Sequence, residues 1–203
     1  MTSTRLTRAE RTERNRARVL EAARTVFLER GYAGATVDAI ADEAGFTKGA
    51  VYSQFAGKPD LLLALLHERI EQRAAENART VEGLAGLEGL RVLFEASARR
   101  SQGAPEWARL LLEFRIAAAR DPELNARYAA AHEVAVARLA ETMQAVAARG
   151  GRRFVHGPLV AARLIFAIDA GVTLERFVEP GALPDHVLHD LVSRLTEPSQ
   201  EEP

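Results

Sequence analysis

The chain has no cysteine, which excludes a disulfide framework and a thiolate metal site. No apolar run approaches the ~20 residues that a membrane-spanning helix needs, and the arginine-rich start lacks the apolar stretch of a signal peptide. No alternating strand pattern is visible, and no low-complexity segment lies away from the ends. Catalytic groupings are missing too, because the five histidines, His67, His132, His156, His186 and His189, fall in no metal or triad motif. His186 and His189 stand three apart with Asp185 and Asp190 beside them, a spacing open to zinc or nickel, but they read as partly exposed interface positions. His67 and Glu71 share a helix face and read as a polar contact. These absences predict a soluble, cytoplasmic, non-enzymatic protein without metal or cofactor.

What is present is a 203-residue chain with 47% hydrophobic residues, enough for one large domain or for a small one and a medium one. Its net charge of -1 hides an asymmetry: residues 1–30 hold eight arginines against four glutamates, so they carry +4 and the remainder -5. A positive end on an otherwise acidic chain suits a phosphate backbone at that end. Arg5, Arg8, Arg11 and Arg14 recur every third residue. They form a stripe on an extension of the first helix, a flexible minor-groove arm, or a merely solvated tail.

The most informative stretch is Thr36 to Lys58. Val37, Ile40, Ala41 and Ala44 make one apolar helical face, Thr36 is its natural N-cap, and Gly45 suits the left-handed turn that ends it. Phe46 drops inward and Thr47 caps a second helix, predicted over Lys48 to Phe55, with Val51 and Phe55 facing in. Lys48, Gly49, Ala50, Tyr52, Ser53 and Gln54 face out, a short and partly polar set that can approach base edges in a major groove.

These residues resemble the DNA-binding domain of the tetracycline-repressor (TetR) family. The resemblance rests on Leu20, Ala22, Ala23, Phe27, Gly31-Tyr32, Thr36, Ile40-Ala41, Ala44-Gly45, Thr47, Gly49, Tyr52, Phe55 and Lys58, and covers roughly residues 13 to 73. Gln54 departs from the pattern, which often has an aromatic residue or His there. The resemblance implies an all-α protein of about nine helices that regulates transcription as a homodimeric repressor, released from a palindromic operator by a small molecule. It also implies phosphate contacts from Thr36, Lys48, Tyr52 and Lys58, and base-edge contacts from Gly49, Ala50, Ser53 and Gln54. An activator, a ligand-independent regulator and an all-helical enzyme on the same fold are the alternatives. The expected partners are double-stranded operator DNA, a second copy of the chain and an unidentified effector.

The expected organisation is an arm (1–12), the DNA-binding domain (13–73, motif 36–55), a helical ligand-binding and dimerisation domain (74–196) and a polar tail (197–203). A long helix starts at Pro59. The glycine-spaced run from Gly83 to Leu90 reads as a flexible connector, since it lacks the strand and Lys-Ser/Thr ending of a phosphate loop. Further helices are expected from Leu90, from Pro105, from Pro122 to Gly150, from Pro158 to about Val178 and from Pro184 to about Leu195. The last two are apolar on more than one side, which predicts a four-helix dimer interface using Leu164, Ile168, Val172, Leu188, Leu191 and Leu195, or else completion of the core. Trp107, Phe114, Tyr128, His132 and Phe166 are candidates for an apolar ligand cavity, with Arg115 or Asp169 as polar anchor.

Overall fold

The computed structural model describes residues 7–181, 183–184, 190–191 and 193–199. The fold is all-α. Eight helices among these residues run in the order α1 (Arg8–Gly34), α2 (Val37–Ala44), α3 (Lys48–Tyr52), α4 (Lys58–Thr80), α5 (Gly86–Gln102), α6 (Pro105–Ala118), α7 (Pro122–Arg149) and α8 (Pro158–Val178). Two short strands, β1 (Arg152–Phe154) and β2 (Thr196–Pro198), pair antiparallel with Phe154 opposite Thr196.

Two compact units form. One takes in the chain up to Glu68 together with Arg109–Tyr128; the other takes in Arg69–Ala108 and the chain from Ala129 on. Segment 109–128 thus belongs with the helix-turn-helix, which a boundary drawn along the chain at residue 73 does not convey.

In the first unit, α1 opens on a capping box in which the Thr7 hydroxyl accepts from the Glu10 N–H and the Glu10 carboxylate accepts from the Thr7 N–H at 2.7 Å. This cap starts the helix at Arg8, so Arg8, Arg11 and Arg14 stand on a helical extension; Arg5 lies outside the described residues. The helix breaks at Gly31, where φ is 68°. Val19, Ala23, Phe27, Ile40, Val51, Leu61, Leu62 and Phe114 are wholly covered, each large side chain contributing about 1.5–3 kcal/mol on burial.

In the second unit the core joins Leu90, Leu93 and Phe94 of α5 to Val136, Met143 and Val146 of α7 and to Ala161 and Ala162 of α8. Of the run expected to be a connector, Gly86–Leu90 is the first turn of α5, with Gly86, Gly89 and Leu90 buried. Gly86 and Gly150 touch backbone to backbone, a methyl on Gly150 would overlap the Gly86 Cα, and a methyl on Gly89 would press on Val146. Close packing, and neither flexibility nor phosphate binding, accounts for these glycines.

The helix expected after Pro184 falls largely outside the described residues, as do Leu188, His186 and His189, and its expected end at Leu195 leads directly into β2. Leu195 packs against the core and Val172 is buried, so both are covered within the chain itself. Ile168 is half-buried, while Leu164 and Leu191 are exposed. Among the described residues no helix is long and apolar enough to cross a membrane, and no group of three or more metal-ligating side chains gathers.

Candidate nucleic-acid interface

The helix-turn-helix is assembled by three hydroxyl and glycine devices. Thr36 accepts from the Ala39 N–H at 3.1 Å and so starts α2, Gly45 ends it with φ 68°, and Thr47 accepts from the Ala50 N–H at 3.2 Å to start α3. Each bond satisfies a donor that a helix start would leave orphaned. α3 is shorter than expected: it ends at Tyr52, and Ser53 and Gln54 form the turn that brings Phe55 into the core.

Two arginines of α1 pin this motif, and their role was not visible in the charge pattern. The Arg16 guanidinium lies 4.3 Å from the centre of the Phe55 ring. Arg18 lies 4.8 Å from that of Phe46 and donates to the Ala44 carbonyl at 3.0 Å, where the end of α2 lacks a backbone donor. The signal for both is their place in α1, on the side that the apolar positions Val19, Ala22 and Val26 leave next to the motif.

Of the eight residues expected to meet DNA, Thr36, Lys48, Gly49, Tyr52 and Ser53 are exposed. Tyr52 shows 47% of its surface, large for an aromatic residue. Lys48 pairs with Asp38 at 2.8 Å, both ends well exposed; the Asp38 hydrogen bond raises its pKa and keeps it cationic. Solvent screens such a pair, so a phosphate can replace its carboxylate. Ala50 is half-buried, and the Ser53 hydroxyl donates to its carbonyl at 2.8 Å.

Gln54 and Lys58 turn inward. The Gln54 amide nitrogen donates to the Ala50 carbonyl at 3.3 Å and its oxygen is buried. The Lys58 ammonium donates to the Tyr32 carbonyl at 2.7 Å and stands 4.5 Å from the centre of the Tyr32 ring, and burial lowers its pKa. In this arrangement Lys58 ties the start of α4 to the Gly31 break. From the other side of that break, the Glu113 carboxylate of α6 accepts from the Tyr32 N–H at 2.7 Å, and Phe114 packs edge-on against both Tyr32 and Tyr128.

The five residues expected to line a cavity divide between the units. Phe114 and Tyr128 join the Tyr32 cluster of the first unit, with Arg115 donating to the Tyr128 hydroxyl. In the second, His132 stacks edge-on with Phe166, and Trp107 lies under Arg69. A cavity of about 540 Å³ opens elsewhere in the second unit, where Asp169, Thr173 and Arg176 of α8 face Ser101, Pro105 and Ala108.

Known proteins match this arrangement. The model for bacterial regulatory proteins of the tetR family matches residues 19–65, and that for the C-terminal region of BetI-type transcriptional repressors matches residues 86–198. The HTH-type transcriptional repressor AcnR of Corynebacterium efficiens is 34% identical over 114 residues, 56% of this chain and 56% of that protein; the match thus spans little more than half of that relative's length. Salmonella enterica GusR has a TM-score of 0.73 at 22% identity, covering 94% of this chain and 97% of that one. FadR from Bacillus subtilis, solved in complex with stearoyl-CoA, has a TM-score of 0.67 at 20% identity, covering 89% and 96%.

Proposed function

Because the chain belongs to the TetR family of transcriptional regulators, we propose that it is a cytoplasmic homodimeric repressor which a small molecule releases from a palindromic operator. The observation that carries the DNA-binding part is the exposed face of α3, where Lys48, Gly49 and Tyr52 stand clear of a buried Val51. Gly49 adds no side chain, so the backbone can approach base edges. Thr36, Lys48 and Tyr52 take phosphates; Gly49 and Ser53 take base edges, with Ala50 behind them. Gln54 and Lys58 act here as supports of the motif. Two reading helices related by a two-fold axis require half-sites about one helical turn apart, near 34–36 Å.

Support for the dimer comes from α8. Val160, Leu164, Ala167, Gly171, Leu174 and Val178 are all exposed and follow one another at steps of four and three, the spacing of a helix seam that packs on another helix. Val178 is 86% exposed. A second copy of the chain covers this stripe, because a two-fold contact places the same apolar row against itself. Leu174→Glu is expected to convert the dimer to a monomer in sedimentation, since a charge in a desolvated seam costs several kcal/mol; an unchanged dimer in that variant and in Leu164→Glu would move the interface elsewhere.

The cavity supports a ligand, as does the FadR neighbour solved with stearoyl-CoA. α6 carries Pro105 and Ala108 of the cavity wall and, farther along the same helix, Glu113 and Phe114, which hold Tyr32. A ligand that shifts α6 therefore acts on the start of the helix-turn-helix. The test is selection of operators from a random DNA pool, followed by a gel shift against the DNA flanking the chain's own gene. Enrichment of a palindrome is expected; equal retention of all sequences overturns the reading.

A further inference from the structure

We propose that Glu113 is a positioning residue for DNA reading: without touching DNA, its carboxylate fixes the peptide at which both ends of the helix-turn-helix are tied. The inference rests on the reading of the exposed α3 face as the DNA-binding surface, and it gives α6 a contact on which operator affinity depends.

The motif enters and leaves at Tyr32. On the entry side, Gly31 breaks α1 with φ 68° and ψ 176°. The Ala35 N–H donates to the Gly31 carbonyl at 3.2 Å and closes the turn that delivers Thr36 to its capping position. On the exit side, Lys58 follows Phe55 by three residues and opens α4. Its ammonium donates to the Tyr32 carbonyl at 2.7 Å and, at 3.5 Å, to that of Ala33. Residues 36–55 thus form a segment whose two ends meet at one residue.

Glu113, 81 residues away in the chain, accepts from the N–H of that same residue at 2.7 Å. A carboxylate from α6 and an ammonium from α4 therefore hold the two backbone polar groups of Tyr32. Hydrogen bonds with an ionised partner are roughly twice as strong as neutral ones. A methyl on Gly31 would lie 2.5 Å and 2.9 Å from the two Glu113 oxygens, so the carboxylate occupies the space that a side chain at 31 would fill. The buried Tyr32 ring is stacked with Phe27 at 6.2 Å and meets Phe114, the neighbour of Glu113, edge-on at 4.9 Å. With ring and peptide both held, Tyr32 has one orientation, and the motif attached to it on both sides inherits that orientation. Removing the carboxylate takes the acceptor from the Tyr32 N–H and loosens the turn. Two reading helices then lose their common spacing, which operator recognition requires and sequence-independent phosphate binding does not.

The test is a gel shift of the full chain, below the melting temperature of every variant, on the operator enriched from a random pool and on a scrambled duplex of equal length. Glu113→Ala is expected to bind operator at least about tenfold more weakly and the scrambled duplex within about twofold of the parent. Glu113→Gln, whose amide oxygen still accepts from the Tyr32 N–H, should stay within about threefold of the parent on operator. Gly31→Ala should weaken operator binding by a smaller factor in the Glu113→Ala background than in the parent, because its methyl then meets no carboxylate and residues in contact couple in this way. Should Glu113→Ala fail to melt cooperatively, Glu113→Met, which keeps the bulk and lacks the acceptor, takes its place under the same expectations; the Gln comparison decides if Gly31→Ala does not fold. Full operator affinity in Glu113→Ala, equal loss on both duplexes, or a Gln variant as weak as the Ala variant overturns the proposal. A parent chain that retains operator and scrambled DNA equally overturns the repressor reading and this role with it, a failure seen before any substitution and so distinct from that of Glu113 alone.

Discussion

Lys48 and Lys58 carry the same charge ten residues apart, and the structure places them in opposite surroundings. Lys48 is exposed and paired with an exposed Asp38, whereas Lys58 is bound to the Tyr32 carbonyl. Lys48→Met is therefore expected to change stability by less than about 1 kcal/mol and to lower the salt dependence of DNA binding by about one phosphate per subunit. Lys58→Met should cost about 1.5–3 kcal/mol in urea denaturation, the range for a hydrogen bond from a charged group. A loss of phosphate contact with unchanged stability in Lys58→Met would return it to the interface. Asp60 supplies a pH test at the same scale. Its hydrogen bond from Arg127 is the main cause that holds its pKa below the usual carboxylate value. A depressed carboxylate stabilises the fold above the unfolded pKa, about 3.9, and that contribution is lost as pH falls through the lower folded value. Asp60→Asn should thus lose stability at neutral pH and show a shallower decline below about pH 4; parallel profiles for the variant and the parent would refute the linkage.

At the scale of elements, close approach decides what composition leaves open. α5 and α7 meet where Gly86 and Gly150 leave no room for a methyl, and Gly86 also has φ 58°. Gly150→Ala is expected to destabilise the protein by about 1–3 kcal/mol, the usual cost of overpacking, read as a lowered midpoint of thermal or urea unfolding; an unchanged midpoint would show that the helices part without cost. The short pairing of β1 with β2 belongs to the same scale. Arg152 donates to the Thr196 hydroxyl at 3.0 Å and to its carbonyl at 2.9 Å, and the two partners are 44 residues apart in the chain.

At the scale of the molecule, the charge asymmetry is carried by one exposed helix end. The capping box carries α1 out to Arg8, and residues 7–14 are all exposed. In a dimer, Arg8, Arg11 and Arg14 offer six positive charges for phosphates flanking the two reading helices. Replacing all three by Gln is expected to reduce the slope of log affinity against log salt by up to about 5, at roughly 0.9 per phosphate contact; an unaltered slope would make the extension a solubilising feature. If a ligand releases the chain from its operator as proposed, the two must weaken each other by the same factor, about 5- to 150-fold for a coupling of roughly 1–3 kcal/mol. Calorimetry of an effector with and without operator tests this, and equal affinities would deny the compound any effect on DNA binding.

The all-α class, the start and end of α2, the Thr47 cap, the Pro122 start of α7 and the family were legible in the sequence. They depend on residues within one or two turns of each other: a hydroxyl and the N–H three residues on, a glycine after the last apolar position, a period of 3.6. What the sequence left open is where each side chain ends up. Lys58 and Gln54 lie in a motif that predicts outward residues, yet they turn in because Tyr32 and Ala50 present carbonyls to them. α8 is apolar on several sides, and only packing shows that Val172 is covered while Leu164 and Leu174 are exposed. Arg73, Glu76 and Arg100 are ordinary surface charges in one dimension, and they become a half-buried cluster because α4 and α5 lie side by side. Local rules set the backbone, since their partners are neighbours in the chain; burial, pairing and close approach were set by tertiary structure, since their partners come from distant segments.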